Sequence, residues 1–160
     1  MSLKIPKRKV EVQLCDEQGR IHRGDIFLSQ NETSGASCQR VQDLLKDRKF
    51  LPVRQNEKVW FIQSKRISWV KIPLLAAAAE LDRHVETSLE ASVNGVTVEL
   101  IDGSRVRGKL RFILPNSERR LGDYIEKYEG FMPVRTDDEL YLVNVEKVIR
   151  FIPEAESSAE

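Results

Sequence analysis

One stretch of sequence occurs twice in this chain, and this internal repeat limits the possible folds more than any other feature. Residues 10–72 recur, with gaps of one or two residues, as residues 96–152. The matched blocks keep their order: VEVQLCDEQGRIHRG (10–24) with VTVELIDGSRVRG (96–108), RVQDLL (40–45) with RLGDYI (120–125), FLPVR (50–54) with FMPVR (131–135), and VWFIQSKRISWVKIP (59–73) with LYLVNVEKVIRFIP (140–153). Self-similarity of this kind predicts one structural module present twice in tandem.

The residue pattern within each copy predicts strand, turn, strand, helix and three further short strands. Val96, Val98 and Leu100 alternate with polar residues, as in a half-buried strand, and Asp102-Gly103 is typical of a tight hairpin turn. The period then changes to that of a helix face at Leu121, Tyr124, Ile125 and Tyr128, and in the first copy at Val41, Leu44 and Leu45. The expected cap of the second helix is Asn116 or Ser117.

The segment between the copies, residues 74–91, predicts a single amphipathic linker helix. Pro73 suits a first helical turn, the four alanines at 76–79 favour helix, and the apolar positions fall on one face: Leu74, Ala78, Leu81, Val85 and Leu89. We therefore expect a first repeat at 1–73, the linker helix at 74–91, a second repeat at 92–153, and an acidic, disordered tail at 154–160.

The hairpin that opens each copy resembles that of a known family of small barrels. Residues 96–113, VTVELIDGSRVRGKLRFI, are similar to the first hairpin of Sm-like and Hfq-like proteins, and Gly24 and Gly108 stand where the second strand of such a barrel bends. The predicted linker helix resembles the helix that precedes the first strand of the Sm fold. The repeat also resembles an uncharacterised bacterial domain family. The resemblance implies a mainly β fold with short helices: two tandem five-stranded Sm-like or SH3-like barrels, each with a helix inserted between strands 2 and 3, joined by an amphipathic helix.

The chain lacks both RNA-contact motifs of the Sm proteins that it resembles. Those proteins have an Asp-x-x-Asn type loop after the second strand and an Arg-Gly-Asn type turn before the last strand. The corresponding segments here read LPNSERRLGD and NVEK in the second copy, and SQNETSGAS and QSKR in the first. The resemblance therefore implies the fold but not the uridine-binding pocket.

Charge is unevenly distributed, although the 26 basic and 25 acidic side chains leave a net charge of only +1. Residues 1–73 hold 15 basic and 8 acidic side chains, a net of +7, whereas residues 74–91 and 92–160 each carry −3. Such asymmetry fits an anionic partner or mutual attraction of the halves, and we favour the simpler interpretation of two solvated surfaces.

The sequence predicts a cytoplasmic protein without membrane contact. No apolar run approaches the roughly 20 residues that cross a bilayer, and the basic residues at the start are not followed by the apolar stretch of a secretory signal. The two cysteines, Cys15 and Cys38, are too few for a disulfide scaffold.

The sequence does not predict an enzyme, a metal site or a cofactor. Its two histidines, His22 and His84, fall in a predicted strand and in the linker, and no HxxxH or CxxC spacing occurs. The acidic run at 137–139 lies in a predicted turn, where acids are common. The glycines form no phosphate-binding loop, and the RxxxR and DxSxxG signatures of PilZ-type cyclic di-GMP receptors are absent. We expect no small-molecule substrate.

The candidate contact residues for nucleic acid are the four cations of one predicted strand: Arg105, Arg107, Lys109 and Arg111. Alternation places them on one strand face, where they could neutralise phosphates. The competing interpretation is a solvated sheet face with Glu99 as cross-strand partner. We favour it, because the aromatic side chains on which single-strand binders stack bases are missing there.

Trp60 and Trp69 are the candidate contact residues for a protein partner. They correspond approximately to Tyr141 and to either Arg150 or Phe151 of the second copy. A tryptophan outside its barrel would suit contact with a partner or with the other repeat, whereas a core position is at least as consistent with the pattern. The function predicted is a non-catalytic binding or scaffolding module that mediates protein–protein interaction. The alternative is an RNA-binding protein that uses the basic surface of the second repeat.

Overall fold

Ten strands form one antiparallel sheet, and only short helices accompany them. The structure, a computed structural model, describes residues 7–29, 39–113 and 121–154. The first five strands are β1 (Lys7–Asp16), β2 (Ile21–Ser29), β3 (Phe50–Gln55), β4 (Lys58–Gln63) and β5 (Ile67–Pro73). The other five are β6 (Ser92–Leu100), β7 (Arg105–Phe112), β8 (Phe131–Arg135), β9 (Glu139–Asn144) and β10 (Val148–Pro153). The predicted mainly β fold with short helices is confirmed.

The strands of the two halves follow the same order across the sheet. The full order is β10-β6-β7-β8-β9-β5-β1-β2-β3-β4, so each half runs fifth, first, second, third and fourth strand. Helix α1 (Val41–Asp47) lies between the second and third strands of the first half, and α3 (Leu121–Lys127) takes the same place in the second. This agreement is what the predicted duplication requires.

Equivalent positions in the two halves are defined by the strand register. Phe50 begins β3 and Phe131 begins β8, so residues 81 positions apart correspond from there onward. The last strand of each half also bulges at corresponding residues, Ser68 opposite β1 and Ile149 opposite β6, which keeps the offset unchanged. The register resolves the alternative left open by the sequence: Trp69 corresponds to Arg150.

Two glycines allow neighbouring strands to cross closely. A Cβ added to Gly24 would lie 2.7 Å from the carbonyl oxygen of Arg54, and one added to Gly108 would lie 2.6 Å from that of Arg135. These sites lie where β2 meets β3 and β7 meets β8, through a single residue pair in each case. Only a residue without a side chain fits such a crossing.

The two halves are joined through strand pairing between β5 and β9. Trp69 lies opposite Val143 and Val70 lies opposite Leu142. Each half contributes residues to the core of the other. Leu140 and Leu142 pack with the core of the first half, and Cys15 and Trp69 pack with the core of the second. The junction is therefore a continuation of both cores.

The prediction of one amphipathic helix over 74–91 is wrong. The segment forms two 3₁₀ turns, Leu74–Ala76 and Ala78–Glu80, followed by α2 (Arg83–Thr87). Leu89, predicted for the buried face, is fully exposed. The alanines favour a helix locally, but contacts with the rest of the fold override that preference.

Hydrogen bonds to both halves explain the broken linker. The Glu80 carboxylate accepts from the amides of Val41 and Gln42 in α1, whereas Arg111 of β7 donates to the carbonyl oxygens of Val85 and Ser88. A continuous helix would use those carbonyl groups for its own ladder. The linker therefore holds the two halves together instead of forming an independent rod.

Three of the sequence predictions fall outside the part of the chain that the structure describes: the helix cap at Asn116 or Ser117, Cys38, and the tail from residue 155 onward. Within the described ranges, no helix is long and apolar enough to cross a membrane.

Candidate functional site

Three of the four cations predicted to contact nucleic acid are paired with acids of the same chain. Arg105 lies 2.7 Å from Glu99, and Arg107 lies 2.8 Å from Glu154. Arg111 is 3.5 Å from Glu86, in addition to its bonds with the linker backbone. Lys109 is exposed and has no ion pair among the residues described. Of these pairs, that of Arg111 is the one reinforced by hydrogen bonds to a neighbouring segment, whereas Arg105 and Arg107 form exposed ion pairs.

A cleft of about 840 Å³ lies where the linker crosses the second half. Five basic side chains line it, Arg40, Arg107, Lys109, Arg111 and Arg135, and five acidic ones do so too: Glu80, Asp82, Glu86, Asp137 and Glu154. Glu86 pairs with both Arg111 and Arg135. The cleft lining thus has no excess of basic over acidic side chains.

Glu80 is the buried acid of this cleft, and its role is structural. Only 2% of the residue is exposed, and its carboxylate oxygens lie 2.7 Å and 3.0 Å from the amide nitrogens of Val41 and Gln42. Burial raises the pKa of Glu80, although those amide donors favour its ionised form. The side chain satisfies backbone donors at the start of α1 that would otherwise be buried without acceptors.

The described residues hold no cluster of metal-ligating side chains, and the one cysteine among them is buried. Burial, together with a hydrogen bond from the thiol to Asp102, raises the pKa of Cys15 to about 12, so the thiol stays protonated at neutral pH and is a poor nucleophile. No group of three or more histidine, cysteine, aspartate or glutamate side chains converges among the residues described.

Trp69 lies at the junction of the two halves and is not available to a partner. Only 7% of it is exposed. Its indole nitrogen donates to Ser104 at 3.1 Å, and its ring contacts Tyr141 edge-on at 5.3 Å between centroids. Trp69 is therefore a core residue that lies between the two halves.

Trp60 packs on the core of its own half and borders a small cavity of about 260 Å³. Its ring lies 5.3 Å from that of His22, which in turn approaches Asp16 at 3.0 Å. Burial opposes ionisation of Asp16, but hydrogen bonds from His22 and from the amides of Arg20 and Gln18 together lower its pKa.

Two exposed apolar side chains lie together on β4, at one end of the sheet, and Ile149 of β10, at the other end, is 64% exposed. Val59 is 56% exposed and Phe61 is 64% exposed, whereas the corresponding residues of the second half, Leu140 and Leu142, are fully buried. The buried pair owes its environment to β5 and the core of the first half. β4 has no such neighbour within the described part of the chain.

Sequence reasoning missed Val59 and Phe61, although a signal was present. Four apolar residues follow one another at 59–62, and the corresponding stretch 140–143 is also continuously apolar. A strand that is apolar on both faces is typical of burial on both faces.

Exposed aromatic rings also lie beside cations in the first half. Phe27 and Phe50 are partly exposed, with Arg54 above the first ring and Lys49 above the second, each 5.9 Å from the ring centre. This combination of rings and cations is the feature that was missing from the basic strand of the second half.

Comparison with protein-family models, curated proteins and solved structures finds no match to this chain.

Proposed function

We propose that this protein is a non-catalytic interaction module whose β4 edge accepts a strand from a protein partner. The observation that carries the proposal is the contrast between Val59 and Phe61, both exposed, and Leu140 and Leu142, both buried at corresponding positions. The same strand position is covered in one half and open in the other.

Strand addition suits this edge for two physical reasons. The outermost strand of a sheet presents unpaired backbone N–H and C=O groups, which an added strand can satisfy along its whole length. Val59 and Phe61 supply the apolar surface that makes the addition favourable, since burying a side chain of this size contributes about 1.5–3 kcal/mol. Lys58, the remaining exposed residue of β4, gives specificity at the rim.

We also propose that each half is a small Sm-like or SH3-like barrel. The shared strand order, the helix between the second and third strands, and the close crossings at Gly24 and Gly108 support this arrangement. In such a barrel the first and fifth strands lie on one side of the second strand, and the fourth strand lies at the opposite end of the sheet. An experimental structure of the chain tests the closure of each half directly.

RNA is the competing partner class, and the aromatic rings beside Lys49 and Arg54 are the observation in its favour. We prefer a protein strand because the second half shows what covers the corresponding positions, and there it is a strand. The paired state of Arg105, Arg107 and Arg111 also weakens the basic surface on which the RNA alternative was based.

Photo-crosslinking in living cells tests the proposal. A photoreactive phenylalanine analogue at position 61 should give covalent adducts with protein, identified by mass spectrometry. The same analogue at position 89, where Leu89 is fully exposed but lies outside the sheet, is the matched control. Adducts with RNA at position 61 would favour the alternative, and equal adducts at both positions would refute a specific β4 site.

A further inference from the structure

Most of the excess positive charge of the first half lies around β4. Residues 46–66 hold seven basic and two acidic side chains, a net of +5, whereas the whole of residues 1–73 carries +7. The corresponding segment of the second half, residues 127–147, holds three basic and five acidic side chains, a net of −2. The two fourth strands therefore differ in their electrostatic surroundings as well as in their exposure.

The cations around β4 are available to a partner. All seven are exposed, and one of them, Arg66, is paired with Glu17. The other six form no ion pair among the residues that the structure describes: Lys46, Arg48, Lys49, Arg54, Lys58 and Lys65. Exposed cations without acidic neighbours attract a segment of opposite charge and help to orient it.

Two of these cations stand at the ends of the apolar surface. Lys58 is the first residue of β4, and Lys65 lies in the 3₁₀ turn that follows the strand directly. A third, Arg54, lies opposite Val59 in the register of β3 with β4. A strand laid along β4 would therefore meet apolar side chains at its centre and positive charge at both ends.

The junction between the two halves already joins strands of opposite charge. Residues 65–73, which include β5, hold three basic side chains and no acid, and residues 137–146, which include β9, hold four acids and no base. Pairing of Lys71 with Tyr141 places Lys71 diagonally opposite Glu139. Because β4 has basic surroundings where β9 has acidic ones, a strand that joins β4 on the same principle is acidic.

A protein segment fits this surface better than a nucleic acid does. An aliphatic side chain such as Val59 offers no ring on which a base can stack. The outer N–H and C=O groups of β4 require backbone partners, and an extended peptide supplies them along the whole strand.

We infer that the partner of β4 is an acidic, extended segment of another protein, with apolar residues at its centre and Asp or Glu at both ends. This inference rests on the proposed role of β4. The apolar centre contacts Val59 and Phe61, and the acidic ends pair with Lys58 and Lys65. Because these lysines are exposed, their contribution to binding falls as salt is added.

Fluorescence anisotropy with three synthetic peptides tests the inference. All three share a Val-Thr-Val-Thr-Val centre, and the two residues at each end are glutamates, glutamines or lysines. The glutamate peptide should bind at least about tenfold more tightly than the lysine peptide, with the glutamine peptide between them. Equal binding of all three would retain strand addition and overturn the acidic partner. No binding by any peptide at about 1 mM would overturn both proposals.

Charge reversal locates the preference on β4. The double variant Lys58→Glu/Lys65→Glu should bind the lysine peptide more tightly than the glutamate peptide. The control Lys7→Glu/Lys109→Glu changes two exposed lysines elsewhere in the sheet, alters the net charge equally, and should keep the wild-type order. If the control reverses the order as well, the charge of the whole protein and not this site sets the preference, and the inference fails.

Two further measurements separate this inference from the proposed function. Phe61→Ser should weaken binding of all three peptides alike, since it removes an apolar contact that they share. The protein segment cross-linked to position 61 in cells should carry a net negative charge; a neutral or basic segment would retain the proposed function and refute the acidic partner. A labelled single-stranded RNA that binds more tightly than the glutamate peptide and is lost in Lys58→Glu/Lys65→Glu would overturn the choice of protein.

Discussion

Phe61 and Leu142 occupy corresponding positions in the fourth strands of the two halves, yet Leu142 is fully buried and Phe61 is 64% exposed. The difference follows from what lies beside each strand. Leu142 faces Val70 across a strand junction, and Phe61 faces no strand among the described residues. The exposure of so apolar a side chain at the open end of a sheet is the observation on which the proposed interaction surface rests.

Replacement of Gly108 by valine should destabilise the protein by at least about 2 kcal/mol, because a side chain would collide with the Arg135 carbonyl oxygen. Thermal and urea unfolding measure the change. Gly122→Ala is the matched control: a Cβ there meets no neighbour within 4 Å, and alanine favours the helix. An unchanged melting temperature for Gly108→Val would mean that β7 and β8 do not cross closely.

Removal of the Glu80 side chain should detach the linker from α1. Glu80→Ala leaves the amides of Val41 and Gln42 without their acceptor, so we expect a loss of about 1–3 kcal/mol in unfolding free energy. Glu90→Ala, at an exposed position of the same linker, should have little effect. Equal stability of the two variants would show that the carboxylate does not cap the helix.

Stability should fall as Asp16 becomes protonated. Its folded pKa is lowered below the value of about 3.9 in an unfolded chain, so the stabilisation is present above that pH and is lost as the pH falls through the folded pKa. The difference in unfolding free energy between wild type and Asp16→Asn should be constant near pH 5–6 and shrink toward pH 3. Asp47→Asn, at an exposed site in α1, is the control. A difference for Asp16→Asn that is as large at pH 3 as at pH 6 would contradict this account.

The basic strand should not bind RNA with useful affinity. Fluorescence anisotropy with a labelled single-stranded RNA should detect only weak binding, because three of the four cations are already paired with acids. Lys109→Glu, which reverses the fourth cation, should hardly change this weak binding. Reversal of Arg111 is a poor test, since it also releases the linker. Tight binding that weakens steeply with salt and is lost in Lys109→Glu would favour the RNA alternative.

Local patterns predicted most of the fold because the repeat supplied each of them twice. Alternation located β6 and β7, and the helical spacing around Leu121 located α3. The prediction of one continuous linker helix is wrong because the helix propensity of its alanines reflects only the local sequence. The carboxylate of Glu80 and the guanidinium of Arg111 bind segments remote in sequence, which no local pattern reveals.

The candidate site was harder to predict because exposure depends on neighbours. Trp69 and Val59 are both apolar residues in strands. Trp69 is buried at the junction of β5 with β9, whereas Val59, whose strand has no such neighbour among the described residues, is exposed. The alternating cations of β7 were visible in the sequence, whereas their partners Glu86 and Glu154 come from other elements.

Amide hydrogen exchange in β4 tests the central claim most directly. The wild-type chain, isolated under native conditions with its bound partner, is compared with Phe61→Lys. If a strand is added to β4, the amides of residues 58–63 should exchange more slowly in the wild-type complex, while those of the inner strand β1 should be alike in both. Equal exchange at residues 58–63 in the two samples would contradict the claim that β4 is the interaction surface.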